Sequence, residues 1–435
     1  MSPSAARSRR TPFGLNQPSA TRGGSGEVVP LNRFLVAVLV SVVCGGALLA
    51  AGAAAPAVSA GQTGDWQTVS AGQSHTCAIA DTGRLYCWGA NYWGQLGDGH
   101  FDTTGAPGQP SDADQAAPVE VVGDFTDWVA VSAGETFTCG IRSSHRLYCW
   151  GGNTSGALGI GSDLTTPHPT PQEVSGQTGD WVTVSAGLSF ACALKTTGHL
   201  FCWGVDSFGQ LGDGGTGVDQ PSPVEVMGGS ARWTSVTTGD RHTCATKTNG
   251  RAFCWGSNLR GQLGVGEEGG DVFDPREVAG RFTSWGTLSA GGDHSCGLRL
   301  SGRLFCWGDM RQGGDGGTEV ERTVPSAVGE SPNWTLVGAG TKHTCATRNS
   351  GRLYCWGRDA AAQLGDGQPN AAQRYPVQVA ASETEDWSVV EGGRKHTCGV
   401  LTTGALYCWG SDVFGQLGDG GTAAQQATPA LVAAP

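Results

Sequence analysis

Cysteines at one repeated spacing, histidines two places before a cysteine, and aspartates set between glycines are the residues of this chain whose types suit chemistry. The cysteines pair ten residues apart: Cys77 with Cys87, Cys139 with Cys149, Cys192 with Cys202, Cys244 with Cys254, Cys296 with Cys306, Cys345 with Cys355, and Cys398 with Cys408. An even set of this kind in an exported protein reads as a disulfide framework. His75, His242, His294, His343 and His396 beside these sulfurs raise soft-metal ligation as a second chemistry. Copies two and three carry Phe137 and Phe190 at that place, an exchange that a packing site tolerates and a ligand site does not. The residues therefore predict structural histidines, disulfides, no metal and no cofactor. Leu-Gly-Asp-Gly recurs at Asp98, Asp213, Asp366 and Asp419, and isolated aspartates among glycines read as turns rather than calcium ligands. His100, His145, His168 and His199 are scattered, and no nucleophile elbow, Walker loop, H-E-x-x-H or EF-hand occurs. No catalytic residue is predicted, and the chain reads as a non-enzyme.

The elements that hold these residues repeat seven times from Trp66 onward. In the first copy, HTCAI and LYCWG flank the turn Asp81-Thr82-Gly83. Setting Cys77 opposite Cys87 puts Ile79 opposite Leu85 and His75 opposite Gly89. Period-2 alternation then places His75, Cys77 and Ile79 on one sheet face, and opposed Cβ atoms come within disulfide reach. Each disulfide staples one hairpin to itself and none joins neighbouring copies. A Trp-led run and a Pro-marked run such as Ala117–Val121 complete four extended segments, with the Pro suited to an edge.

The leading tryptophans are Trp66, Trp128, Trp181, Trp233, Trp285, Trp334 and Trp387, and those after the second cysteine are Trp88, Trp150, Trp203, Trp255, Trp307, Trp356 and Trp409. Only Trp93 stands outside the pattern. Both faces of the central hairpin are apolar or small, so each copy needs a neighbour on both sides. The end copies show no polar capping face, which an open stack would require. The expected fold is all-β: a seven-bladed β-propeller of four-stranded antiparallel blades.

Residues 1–60 differ in kind. Five arginines precede the apolar run 34–55, and Val58-Ser59-Ala60 resembles a signal-peptidase site. The favoured expectation is a secretory signal cleaved after Ala60, with an uncleaved membrane anchor as alternative and lipidation at Cys44 disfavoured by the bulky Val43. Either places residues 61–435, the propeller, outside the cytoplasm. Those residues carry a net charge of −15, which repels phosphate backbones and argues against nucleic acid.

The runs G-x-x-H-x-x-A-L/I, G-x-L-Y-x-W-G and N-x-x-G-Q-L-G are similar to the repeats of the regulator of chromosome condensation family, and the two-Cys version resembles that of exported bacterial relatives. The resemblance covers residues 61–435. It implies a seven-bladed propeller and functions as different as guanine-nucleotide exchange, scaffolding and enzyme inhibition. The shared residues build the blade, so no exchange-factor residue carries over.

Variation concentrates between W-G and G-Q-L-G, in a loop expected on one rim. Its middle residues include Tyr92 and Trp93, Phe208, Leu259 and Arg260, Met310 and Arg311, and Phe414, types that anchor interfaces. Copy five, CWGDMRQGGDGG, lacks the Gln-Leu-Gly step. The expected function is a secreted or surface-exposed scaffold that binds an extracellular protein through this rim. Binding to a cell-wall glycan, a hydrolytic propeller and guanine-nucleotide exchange are the alternatives. The membrane enters only through the N-terminal segment, if it is kept.

Overall fold

In the first blade, β1 (Trp66–Ala71), β2 (His75–Ala80), β3 (Leu85–Gly89) and β4 (Gln115–Glu120) pair in chain order into one antiparallel sheet. Cys77 stands opposite Cys87, Ile79 opposite Leu85 and His75 opposite Gly89, the register expected from alternation. That cysteine pair is a disulfide. The same bond joins Cys139 to Cys149, Cys192 to Cys202, Cys244 to Cys254, Cys296 to Cys306, Cys345 to Cys355 and Cys398 to Cys408, as the spacing predicts. In all seven the Cα atoms lie 4.0–4.1 Å apart. Every residue of β2 is buried, because neighbours cover both faces of the hairpin.

The computed structural model describes residues 65–102, 109–161, 165–176, 179–228, 232–317, 320–380, 386–421 and 423–435. The expected leader, residues 1–60 with the apolar run and the expected cleavage site, lies outside them. Among the described residues no helix is long and apolar enough to cross a membrane.

Seven such sheets form the propeller. The first strands stand side by side around the axis. There the backbone N–H groups of Ala133, Ala186, Thr238, Ala290 and Ala339 donate at 2.9–3.1 Å to the hydroxyls of Ser70, Ser132, Ser185, Thr237 and Ser289 in the preceding blade. The Pro-marked strands lie at the opposite, outer edge of each sheet, where a missing N–H breaks no ladder.

Blades are joined by a lapping loop. The chain leaving β3 runs over the following blade, where the carbonyl of Gln95 accepts from Trp150 Nε1–H at 3.1 Å. Six further tryptophans, Trp88, Trp203, Trp255, Trp307, Trp356 and Trp409, donate in the same way at 2.8–3.0 Å. Each of these indoles is fully buried, a gross gain of about 5 kcal/mol per ring from roughly 200 Å² of apolar surface. Such contact requires glycine beside the ring: Gly97 has φ +72°, and a Cβ there would lie 2.5 Å from Trp150 Nε1.

The ring closes by the same device. Trp88 of the first blade donates to Gln416 of the seventh, and Trp66, Trp88, Val400 and Leu417 share one core cluster. All four strands of each blade are consecutive in the chain, so closure is packing of blade on blade without an exchanged strand.

Candidate functional site

Because β1 ends and β2 begins on the side where β3 ends and β4 begins, each blade presents two connections on one face. The short β1–β2 turns surround the mouth of the central channel, and the long β3–β4 loops form an outer rim. Charges meet across the mouth. Burial, followed by repulsion from Asp293 and Glu135, lifts Asp240 to about 6, while Arg241 and Arg394 act in the opposite direction. Deeper in the channel wall, the strand position held by Ser70 in blade one is Gly338 in blade six and Glu391 in blade seven. Desolvation raises Glu391 to about 7.

The rim residues fall into different settings. Tyr92 and Trp93 are half-buried, with ring centroids 4.9 Å apart and planes edge-on. Trp93 borders an open groove of about 340 Å³ lined also by Asn153, Thr154, Ser155, Thr165 and Asp219, so three blades contribute to it. Phe208 lies under the guanidinium of Arg241, 5.0 Å from its ring centre. Leu259 is 60% exposed, and Arg260 pairs with Glu321 of the next blade. Phe414 is half-buried on a loop that laps the first blade, where a Cβ on Gly415 would stand 2.5 Å from Ala116 Cα. Ring closure therefore sets the Phe414 loop against the blade that carries Tyr92 and Trp93.

Copy five departs from the expected rim pair. Met310 is only 2% exposed, and Arg311 is held by Asp309, which also accepts from the Arg311 backbone N–H. The physical reason is loop length. From Trp307 to Asp315 the chain is two residues shorter than from Trp203 to Asp213 and lacks the buried leucine that the other copies supply, as at Leu211. Met310 is the apolar residue that this loop buries. Gln312 still offers its carbonyl to Trp356 Nε1–H at 2.8 Å.

A set of clamps beneath the rim is not apparent from loop variation alone. The Oε1 atoms of Gln95, Gln210, Gln262, Gln363 and Gln416 accept the backbone N–H of Trp93, Phe208, Arg260, Ala361 and Phe414 at 2.8–2.9 Å. The scaffold glutamine thus fixes the backbone of the variable dipeptide while leaving its side chains free to differ.

The histidines beside the disulfides are stitches between blades. His75 Nε2 lies 2.9 Å from Thr138 Oγ1 of the next blade, and His242, His294, His343 and His396 meet Ser295, Thr344, Thr397 and Thr76 at 2.8–2.9 Å. Each hydroxyl donates its own hydrogen to a lapping-loop carbonyl. Nε2 must therefore be the protonated nitrogen and the hydroxyl oxygen the acceptor, which leaves Nδ1 bare. All five Nδ1 atoms are buried without a partner. Where blade two carries Phe137, the matching position of blade three is Ala191, without a hydroxyl. The Gly-Asp-Gly aspartates are turn formers: Asp98, Asp213, Asp366 and Asp419 each accept the backbone N–H two residues on, at 2.7–3.0 Å. Among the described residues no group of three or more His, Cys, Asp or Glu side chains is arranged to hold a metal ion.

Seven four-stranded blades with lapping loops define a β-propeller whose variable residues sit on one face. The RCC1-like domain matches residues 44–391 and the regulator of chromosome condensation (RCC1) repeat matches residues 388–416, so the chain belongs to the RCC1-like family. Its seven hairpin disulfides mark the two-Cys type. It is 34% identical over 202 residues to the Ultraviolet-B receptor UVR8 of Arabidopsis thaliana, covering 46% of this chain and 43% of that protein. It is 30% identical over 200 residues to the probable E3 ubiquitin-protein ligase HERC6 of Homo sapiens, covering 45% of this chain and 19% of that protein. The chain thus spans less than half the length of these relatives. The crystal structure of human WBSCR16 superposes with a TM-score of 0.71 at 20% identity, over 81% of this chain and 95% of that one. Prp20p from Saccharomyces cerevisiae, described with its binding properties to Gsp1p and histones, gives 0.66 at 23% identity over 76% and 80%.

Proposed function

We propose that this propeller is an exported, non-catalytic recognition module that binds an extracellular protein through the loop-bearing face. The observation that carries this reading is the contrast between clamp and side chain. The same buried glutamine fixes the rim backbone in five blades, while the residues it presents change from Trp93 to Phe208, Arg260, Ala361 and Phe414. A framework that holds still under changing aromatic and basic side chains is the arrangement of a binding surface. Seven disulfides support an oxidising compartment, and with it export. Propellers of this family bind proteins, as Prp20p binds Gsp1p and histones. The ligase activity named for the human relative belongs to a protein of which the match covers 19%.

The test is capture from culture supernatant by the purified protein and by a Trp93→Ala/Phe414→Ala variant. A partner retained by the first and lost by the second supports the rim. Equal recovery of every partner by both removes it. A second reading, binding of a cell-wall glycan, is favoured by the groove itself: the Trp93 ring lines it together with the polar residues Thr154, Ser155 and Asp219. Retention of the protein, but not of Trp93→Ala, on insoluble cell-wall polysaccharide distinguishes it.

A further inference from the structure

Three residues after the second tryptophan, the chain carries Asn91, Asn153 and Asn258 in blades one, two and four, and Asp206, Asp359 and Asp412 in blades three, six and seven. Asn91 shows what the position does. Its Oδ1 accepts Leu96 N–H at 3.1 Å, and its Nδ2 donates to Asp98 Oδ1 at 3.1 Å and to the His100 carbonyl at 3.2 Å. Asn258 repeats this, accepting from Leu263 at 3.2 Å and donating to the Glu267 carbonyl at 2.8 Å.

Asp206 Oδ1 accepts Leu211 N–H at 2.9 Å, so its Oδ2 occupies the place of the Asn91 amide nitrogen. Asp206 is 0% exposed, and Oδ2 is buried without a hydrogen-bond partner. Around it stand further acceptors: Asp213, whose Oδ1 takes Gly215 N–H at 2.7 Å, and Asp219, whose Oδ1 takes Asp206 N–H at 2.9 Å. Blade seven repeats the arrangement. Asp412 Oδ1 accepts Leu417 N–H at 2.9 Å, its Oδ2 is buried without a partner, and Asp419 forms the facing turn. Blade six differs, because Ala371 N–H reaches Asp359 Oδ2 at 3.4 Å.

We propose that Asp206 and Asp412 each carry a proton on Oδ2 and donate it to the loop acceptors that Asn91 serves with its amide, which makes the rim loops under Phe208 and Phe414 acid-set latches. The proposal rests on the rim-binding function above and adds its regulation by pH. As a neutral acid the side chain has the shape and the donor of asparagine. As a carboxylate it sets a buried charge against Asp213 and Asp219, or against Asp419. The electrostatics agree: burial first, then those neighbouring charges, lift Asp206 and Asp412 to about 6. Among the described residues no opposing charge sits on either carboxyl. Arg241, from the blade next to Asp206, lies over the Phe208 ring, and the turn carbonyl that accepts Val205 N–H belongs to the uncharged Ser189. Beside Asp412 the neighbouring turn offers the Lys395 carbonyl to Ser411 N–H, and the outer strand places Gln426 Nε2 3.5 Å from Asp419 Oδ2. Above about pH 6 the proton leaves, the latch opens, and Phe208 and Phe414 lose their fixed presentation.

Hydrogen exchange of the whole exported protein, corrected for the intrinsic pH dependence of exchange and run in EDTA from about pH 5.5 to about pH 8, tests this in the wild type and in Asp206→Asn. Asparagine is native at this position in three blades, so the variant folds. In the wild type, opening of loops 206–215 and 412–421 should rise by up to about tenfold per pH unit above 6, the limit for loss of one proton. In Asp206→Asn the first loop should become flat and the second should not change, while the Asn91 loop stays flat in both proteins. A blade-three loop with the same pH profile in both proteins overturns the proposal, as does a flat wild-type profile. Protection restored at about pH 7.5 by calcium chloride and lost in Asp206→Asn also overturns it, since a metal ion would then be the occupant. Partner capture by the Trp93 and Phe414 rim is a separate measurement, so a flat latch with intact capture rejects the latch alone.

Discussion

Replacing His75 with phenylalanine should remove one stitch and make the ring less sensitive to acid. Burial holds His75 down at about 3, against 6.5 for the free side chain. Below pH 6.5 the unfolded chain takes up a proton that the folded chain refuses until about pH 3, so this group's contribution to stability falls as the pH drops through that interval. At about pH 5 the gap of roughly 1.5 pH units amounts to about 2 kcal/mol. A phenyl ring should fit there, because Phe137 and Phe190 hold the same place against Gly134 and Gly187. Thr138 Oγ1 keeps its bond to the Gln95 carbonyl. Near pH 7.5 the variant should therefore lie within about 1 kcal/mol of wild type, the value of one hydrogen bond. Desolvated carboxyls work in the opposite sense, since Asp206, Asp240, Asp359, Asp412 and Glu391 are all raised. The comparison between the two proteins cancels them. Urea unfolding without reductant, at about pH 7.5 and about pH 5, measures the effect. His75→Phe should lose about 2 kcal/mol less than wild type between the two conditions. Equal losses would refute the neutral, buried imidazole.

Four further outcomes follow from the same contacts. Nitrogen-15 spectra of the imidazoles near pH 7 should show His75, His242, His294, His343 and His396 protonated at Nε2 and bare at Nδ1, and a protonated Nδ1 in any of them would contradict the stitch. Gly97→Ala should lower stability by about 1–3 kcal/mol, because it combines a positive φ with a Cβ against Trp150; thermal unfolding that matches wild type would show the loop to be slack. All fourteen paired cysteines are oxidised and carry no free thiol, so alkylation without reductant, even after unfolding in urea, should label none of them, and the pair variant Cys77→Ala/Cys87→Ala should lose at most about 3 kcal/mol and keep its ring, checked by mass and thermal melting.

The hairpin register is legible in the sequence because side chains alternate at period 2, so pairing Cys77 with Cys87 fixes Ile79 opposite Leu85. Closure is legible because β2 is apolar on both faces. The stitches are hidden, since His75 meets a residue 63 positions away in the next copy. Their trace is present nonetheless: a hydroxyl follows each of the five histidines, and the alanine of blade three lies opposite the phenylalanine of blade two. Met310 misleads for another reason. Counting from the tryptophan places it on the rim, but the shortened loop moves it into the core position that leucine fills elsewhere.

These contacts divide the labour of the repeat. Disulfides act within a blade, whereas the indole bonds act between blades in all seven copies and the imidazole stitches and strand-one hydroxyls do so in five each. Sequence freedom remains where the repeated contact is made by backbone and not by the side chain. At the rim the glutamine clamp takes backbone N–H groups, so it accepts an aromatic, an arginine or an alanine side chain alike. At the channel wall, Gly338 and Glu391 interrupt the hydroxyl lacing around blade seven: a Cβ on Gly338 would lie 2.3 Å from the Val390 carbonyl, so close backbone contact replaces the hydroxyl stitch. Difference between blades is thereby concentrated on one face and around one seam, where a propeller of nearly identical blades becomes asymmetric.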